Sequence, residues 1–422
     1  MVKPKSRTSS YASWQQIVPS KFQYFERFKE LDQLDLNIIF AMAESPNSPR
    51  NVRKISQELG LPQQTVNYRV QRFDKEGLVR FRAVINETLL GLTNYMVMVT
   101  VRPGLVYVKS KPKKHEKLDA ETFLTCYPVW RLAEEIHGGS VHGFCVVYSI
   151  PSEKENSLKS FLEELKNIEC ISGVDEFCKV TPTHYNIPRQ DLLQLIRKAI
   201  TRGEPISFNW ENWVGLFDKG REAVLIEDTP RNRPPLEYED LLLLFHLEGN
   251  LREKFVDVAK EAGEPSGKIA KRYGEILKHH LIDRCRVEIY PVDPVAASIH
   301  LTMKIDFSNG TALRRFVANL DEIPYSAICQ KEIGKDVLFL HVIIPSYEYV
   351  DFHNTFEALN RRLGIIRNVD LYVSTYYSKF DNIALYEAFS EEENTWAFSE
   401  DTIIQALHRL IDDTRFRFEK PS

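Results

Sequence analysis

Two hydrophobic rhythms alternate along the chain. In "ISQELGLPQQTVNYRVQRFDKEGLV" (Ile55 to Val79), Val66, Val70 and Phe73 recur at i, i+4 and i+7, the buried face of an amphipathic helix. A preceding helix runs to Leu59, and Gly60 supplies the tight turn between the two. Pro62 falls at the first turn of the second helix, where a missing N–H is harmless. With the strand "VRFRAVIN" behind it, this is a winged helix-turn-helix pattern. The rhythm then shortens to two. "YMVMVTVRP" puts Val97, Val99 and Val101 on one face of a strand. A helical stretch follows, then a strand pair in "YPVWRLAEEIHGGSVHGFCVVYSIP". An amphipathic helix carries Leu158, Phe161, Leu162 and Leu165, and "GVDEFCKVTPTHY" makes a last strand. The order β-α-β-β-α-β is the ferredoxin-like arrangement.

The same succession returns. Offset by 203 positions and without a gap, Glu58 falls on Glu261, Gly60 on Gly263, Pro62 on Pro265, Arg69 on Arg272 and Leu78 on Leu281. "SIHLTMKIDF" then alternates as a strand, "IPYSAICQKEIGKDVLFLHVIIP" supplies a strand pair, and "NVDLYVSTYY" closes the unit. Such a period is too long for a solenoid and points to duplication of a whole module. The predicted class is α+β: two winged helix-turn-helix modules, each followed by a ferredoxin-like module. The expected domains are a basic tail and lead-in helix (1–30), the first winged helix (31–92) and the first ferredoxin-like unit (93–185). A connector (186–235) with a helix at "RQDLLQLIRKAI" leads to the second winged helix (236–292) and second ferredoxin-like unit (293–380), with an acidic, then amphipathic tail (381–422).

The polar faces of the two winged helices differ. Opposite Val66, Val70 and Phe73 stand Gln63, Gln64, Asn67, Tyr68 and Gln71. Amides near the start of such a helix suit base reading, since Asn and Gln can pair bidentately with adenine in the major groove. Arg69, Arg72 and Lys75 flank them, with Arg80 and Arg82 on the wing strand, as candidates for phosphate contacts. The second copy keeps Ile269, Tyr273 and Ile276 for its core but turns Ser266, Gly267, Ala270, Lys271 and Gly274 outward. Lys268, Lys271, Arg272 and Lys278 could still grip phosphates, yet little remains with which to read bases.

Composition narrows the partners. The 422 residues suggest two to four domains, and a net charge of −4 confines any nucleic-acid surface to a local patch. The densest basic run is "KSKPKKHEK", Lys109 to Lys117. No apolar run approaches the roughly 20 residues that cross a bilayer. The start has no apolar core of a secretory signal. Six scattered cysteines without zinc spacing read as reduced thiols of a cytoplasmic protein. No phosphate loop, nucleophile elbow or zinc-protease motif appears. Neither a catalytic activity nor a cofactor or metal is therefore expected.

"LDLNIIFAMAE" and the helix-turn-helix through Asn86 resemble the DNA-binding segment of the Lrp/AsnC, or feast/famine, transcription regulators. Their layout is a winged helix followed by a ferredoxin-like domain. That resemblance implies binding of double-stranded DNA and pairing through the ferredoxin-like domains, either between chains as a homo-oligomer or within one chain as a pseudo-dimer. It also implies an amino-acid effector at a glycine- and acid-containing loop. Of the corresponding loops, "HGGSVHG" and "IGKDVLF", only the second keeps a Gly-x-Asp, as Gly334 and Asp336. Two alternatives stay open. The siroheme decarboxylases, relatives of the family, would use His137, His142, Arg131 and His341 around a tetrapyrrole. A non-DNA-binding scaffold would be favoured if Arg69 and Arg72 were held in internal ion pairs.

Overall fold

The computed structural model describes residues 31–44, 47–77, 79–101, 105–109, 117–118, 120–127, 129–138, 141–186, 208–223, 225, 234–289, 298–325, 327–374, 379–380, 389–397, 399–412 and 414–418. The lead-in helix, the connector helix at 189–200 and most of the basic run at 109–117 lie outside the described residues. The first half opens with α1 (Gln33–Ala43), α2 (Val52–Glu58), α3 (Gln63–Glu76) and β1 (Val79–Ile85). Asp32 and Asp35 cap α1 reciprocally, each carboxylate accepting the other's backbone N–H. Gly60, at φ 63°, makes the turn after α2. Pro62 is the N-cap of α3, one position earlier than expected, and Gly77 ends that helix in the left-handed conformation. Val66, Val70 and Phe73 are fully buried, in a core shared with Leu36 and Ile39 of α1.

The first ferredoxin-like unit comprises β2 (Leu92–Thr100), the short β3 (Leu105–Lys109) and β4 (Lys117–Leu118), α4 (Ala120–Leu124), β5 (Trp130–Gly138), β6 (Val141–Pro151), α5 (Glu155–Asn167), β7 (Gly173–Val180) and β8 (His184–Tyr185). In the connector, α6 (Trp210–Gly215) is pinned to the second half. The Trp210 indole donates to Glu348, and that of Trp213 to the Asn319 carbonyl. The second winged module is α7 (Tyr238–Gly249), α8 (Phe255–Ala262), α9 (Ser266–Lys278) and β9 (Ile282–Ile289). The second ferredoxin-like unit is β10 (Ser298–Phe307), α10 (Gly310–Asn319), β11 (Ala327–Lys331), β12 (Val337–Pro345), α11 (Tyr349–Arg361) and β13 (Ile366–Ser374). The tail adds β14 (Lys379–Phe380), β15 (Phe389–Ser390), β16 (Thr395–Trp396), α12 (Glu400–Asp412) and β17 (Thr414–Phe418), which pairs with β3.

Both ferredoxin-like units merge into one antiparallel sheet of order β7-β2-β6-β5-β13-β10-β12-β11-β8, with β14 laid against β5. The seam runs between β5 and β13, where Val373 pairs with His137 and Ser374 with Ile136. The opposite edges also meet: the Thr181 N–H donates to the Lys331 carbonyl and that of Ile333 to the Lys179 carbonyl. The halves thereby enclose a second apolar layer containing Met96, Met98, Cys145, Val147 and Phe339. Alternation in β2 predicted one apolar face. Both faces are buried, because Val97 and Val99 join the main core while Met96 and Met98 join this second layer. The winged modules are joined as well. β1 and β9 pair antiparallel from Val79↔Ile289 to Ile85↔Ile282, so the two expected wings form a single ribbon. Arg50 donates to the Glu253 carbonyl at 2.6 Å, and Arg252 reciprocally to that of Pro49.

Candidate nucleic-acid interface

The outward face of α3 is open to solvent. Gln63, Gln64, Asn67 and Gln71 are exposed, and Tyr68 retains 69 % of its accessible surface. This placement follows from the helical period, since burying Val66, Val70 and Phe73 leaves these positions outside. Lys75 and Arg80 are also exposed, and Arg82 is half-buried beside a small cavity of about 50 Å³.

Arg69 and Arg72 stand elsewhere than expected. Arg69 donates to Asp32 and to Asp35, both at 2.7 Å, and Arg72 to Asp35 at 2.6 Å. Asp35 has no exposed surface, so a buried carboxylate takes both guanidinium groups as its counter-charges. These internal ion pairs meet the condition stated for the scaffold alternative, and they take Arg69 and Arg72 out of the expected phosphate roles: both side chains clamp α3 to the start of α1. Sequence held the signal, for acids stand at the start of the first helix of each winged module in "LDQLD" (Leu31–Asp35) and "LEYED" (Leu236–Asp240). Arg272 indeed makes the equivalent clamp to Glu237 and Asp240. Arg53, exposed on α2, is a further cation on the helix-turn-helix that sequence reading passed over.

The second winged helix presents Ser266, Gly267, Ala270, Lys271 and Gly274 to solvent. Most of its cations are engaged within the module. Lys268 pairs with Glu239 at 2.6 Å and Glu264 at 3.0 Å, and Lys278 with Glu275 at 3.2 Å. The electrostatic means of gripping phosphates are therefore weaker here than the count of basic residues suggests.

Gly334 and Asp336, the expected effector positions, lie on an open cavity of about 730 Å³ at one end of the second ferredoxin-like unit. Gly334 has φ 81°, which the hairpin between β11 and β12 requires. Lys304, Arg314, Lys331, Lys335 and Arg367 line the same cavity with Asp306 and Glu332. Several are already engaged: Lys304 with Glu176 of the first half, Lys335 with Glu332 at 2.7 Å, and Arg314 with Glu222 at 2.7 Å.

The residues considered for a tetrapyrrole do not form one site. Arg131 is half-buried and engaged in ion pairs with Glu87 at 2.7 Å and with Glu248 of the second winged module. Burial would depress its guanidinium, but Glu248 and Glu87 outweigh that and keep it charged. His341 lies inside the sheet, its Nδ1 2.8 Å from Glu134, which also accepts the Thr302 hydroxyl at 2.7 Å. Only His137 and His142 come together, across the β5–β6 hairpin with Nδ1 atoms 2.7 Å apart. All six cysteines are free thiols, and five are buried. Among the described residues no helix is long and apolar enough to cross a membrane.

Comparison with known proteins bears on each half of this picture. Residues 31–80 match the family model described as winged helix-turn-helix DNA-binding. The HTH-type transcriptional regulator FL11 of Pyrococcus furiosus is 26 % identical over 144 residues, covering 34 % of this chain and 85 % of that protein. Two solved structures of the siroheme decarboxylase NirDL cover 90 % of this chain and 100 % of their own. One, in co-complex with an iron-uroporphyrin III analogue, has a TM-score of 0.52 at 13 % identity; the other has 0.51 at 14 %. At such identity the likeness speaks for the fold. It nevertheless overturns the exclusion of catalysis drawn from missing motifs, because this whole architecture occurs in an enzyme. Residues 31–80 thus fold as the winged helix-turn-helix that their family match describes, within an α+β architecture similar in fold to that of NirDL.

Proposed function

We propose that this chain is a regulator that binds double-stranded DNA through its first winged helix. The observation that carries the reading is the solvent-open amide face of α3, on a segment matching a DNA-binding family model. Gln63, Gln64, Asn67, Tyr68 and Gln71 enter the major groove, and Lys75, Arg80 and Arg53 take phosphates. Arg82, half-buried at the ribbon, is a weaker phosphate candidate. The two halves are read as copies of one module, divided near residues 92, 185, 235, 292 and 380, and packed as a pseudo-dimer within the chain. One half reads bases and the other supplies scaffold. The test is binding to operators selected from random duplexes. Asn67→Ala should cost about 1–3 kcal/mol on the preferred site and relax preference at one base pair. Unchanged preference would remove the base-reading assignment.

A second reading is supported by the likeness to NirDL and by the cation-lined cavity. A uroporphyrin-type macrocycle carries a rim of carboxylates, and five Lys and Arg side chains line the cavity of about 730 Å³, though Lys304, Lys335 and Arg314 would have to exchange their present carboxylate partners for those of the ligand. Its lining holds no imidazole among the described residues, so it suits the carboxylates and not the iron. Gly334 and Asp336 would belong to this ligand site whether its ligand is a macrocycle or an amino acid. Titration with iron uroporphyrin, followed by visible absorbance, separates this reading from salt-sensitive DNA binding. An unperturbed spectrum counts against the macrocycle.

A further inference from the structure

We propose that Glu135, His137 and His142 form a binding site for one divalent first-row transition-metal ion, of the Zn²⁺ or Co²⁺ type, on the β5–β6 hairpin. Strand alternation sets Glu135 and His137 on one face of β5, and His142 pairs directly with His137 from β6. One ligand atom from each residue lies within 4.8 Å of the others. The imidazoles stack with centroids 4.4 Å apart, and Glu135 reaches the His137 Nε2 at 3.5 Å. Two imidazoles and a carboxylate suit borderline metals and leave a coordination position for water. With metal–nitrogen bonds of about 2.0–2.1 Å, two ligand nitrogens stand roughly 3 Å apart or slightly more. His142 faces the Nδ1 of His137 and Glu135 its Nε2, and an imidazole gives one ion a single nitrogen, so binding requires the rings to rotate out of their stack until one nitrogen of each and the carboxylate converge.

The scaffold around the three side chains is stiff and accessible. All three are half-exposed, so a hydrated ion can reach them. Gly143, beside His142, packs so closely on the Val99 carbonyl that any Cβ would overlap it. A Cβ on Gly138, beside His137, would come within 2.6 Å of the Leu371 carbonyl. On the inner face of β5, Glu134 binds His341 and Thr302 of the second half. A metal would thus hold the hairpin at the seam between the halves. The last pairing of the other hairpin is Lys331↔Leu338, which offers no such donors, so among the described residues the cluster has no counterpart in the second half.

The experiment uses the full-length, untagged chain stripped of metal with a chelator. Co²⁺ is titrated by visible absorbance and Zn²⁺ by calorimetry. The expected result is one saturable ion per chain, with Zn²⁺ displacing Co²⁺ and raising the thermal midpoint. H137Q/H142Q should lose that site while keeping the circular dichroism of the wild type. Glu135→Gln should weaken binding by about tenfold or more. Equal binding by wild type and H137Q/H142Q, or no saturable binding by either, overturns the site and leaves a histidine–histidine hydrogen bond. If the double variant misfolds, Glu135→Gln alone decides: unchanged affinity sinks the proposal.

Discussion

Arg69 and Arg72 illustrate how residue type can mislead at a helix surface. Both sit where a DNA-contacting cation would, yet Asp35, at 0 % exposure, depends on them. Removing both leaves a buried carboxylate without a counter-charge, held only by the Asp32 backbone N–H. R69A/R72A should cost on the order of 3 kcal/mol in urea unfolding. Lys75→Ala should stay within about 0.5 kcal/mol of wild type while it lowers the salt slope of DNA binding by about one. The reverse pattern would return Arg69 and Arg72 to the interface. Glu134 carries a pH signature of its own. Burial alone would raise its carboxyl, but the hydrogen bond and charge of His341, then the hydroxyls of Thr302 and Ser374, outweigh that and hold it at about 2, below the usual 4.5. A carboxyl depressed in the folded state contributes stability that is complete above about 4.5 and lost as pH falls toward 2. Glu134→Gln should flatten the unfolding free energy across that window, whatever it does to the level at neutral pH. An unchanged slope would mean that the His341 pairing contributes nothing.

Among the elements, α3 and α9 share a buried face and differ in everything presented to solvent. Gly267 and Gly274 of α9 have open space where a Cβ would stand and ordinary helical backbone. Gly267→Ala and Gly274→Ala should each stabilise the chain by up to about 1 kcal/mol, measured by chemical unfolding, without changing DNA affinity. A loss of affinity would show that α9 needs close backbone approach to a phosphate. Strand elements were legible through alternation, but their second faces were not. Met96 and Met98 look like indifferent positions until the other sheet covers them. The wing strand β1 was legible as a strand, whereas its pairing with β9, about 200 residues away, was not.

For the whole molecule, the ribbon and the merged sheet place two winged modules of unequal chemistry in one chain. A symmetric dimer calls for a palindromic operator. Here a single chain should protect an asymmetric site, with strong base-specific protection on the side of α3 alone. Footprinting that reveals two equivalent half-sites per chain would contradict the division of labour. The same scaffold in NirDL shows why architecture alone leaves the chemistry undecided: a side-chain constellation, and not the strand order, determines what is bound or transformed.

Local periodicity determined the helices, the strands and the open amide face, because those depend on residues a few positions apart. Long-range geometry was decided only by tertiary structure. Asp35 lies 34 residues from Arg69, Glu248 lies in a different module from Arg131, and Glu134 meets His341 across the seam. Each of these pairings couples a buried charge to a partner that no short window contains. Glu135, His137 and His142 are the contrary case, close in sequence and brought face to face by the register of one hairpin.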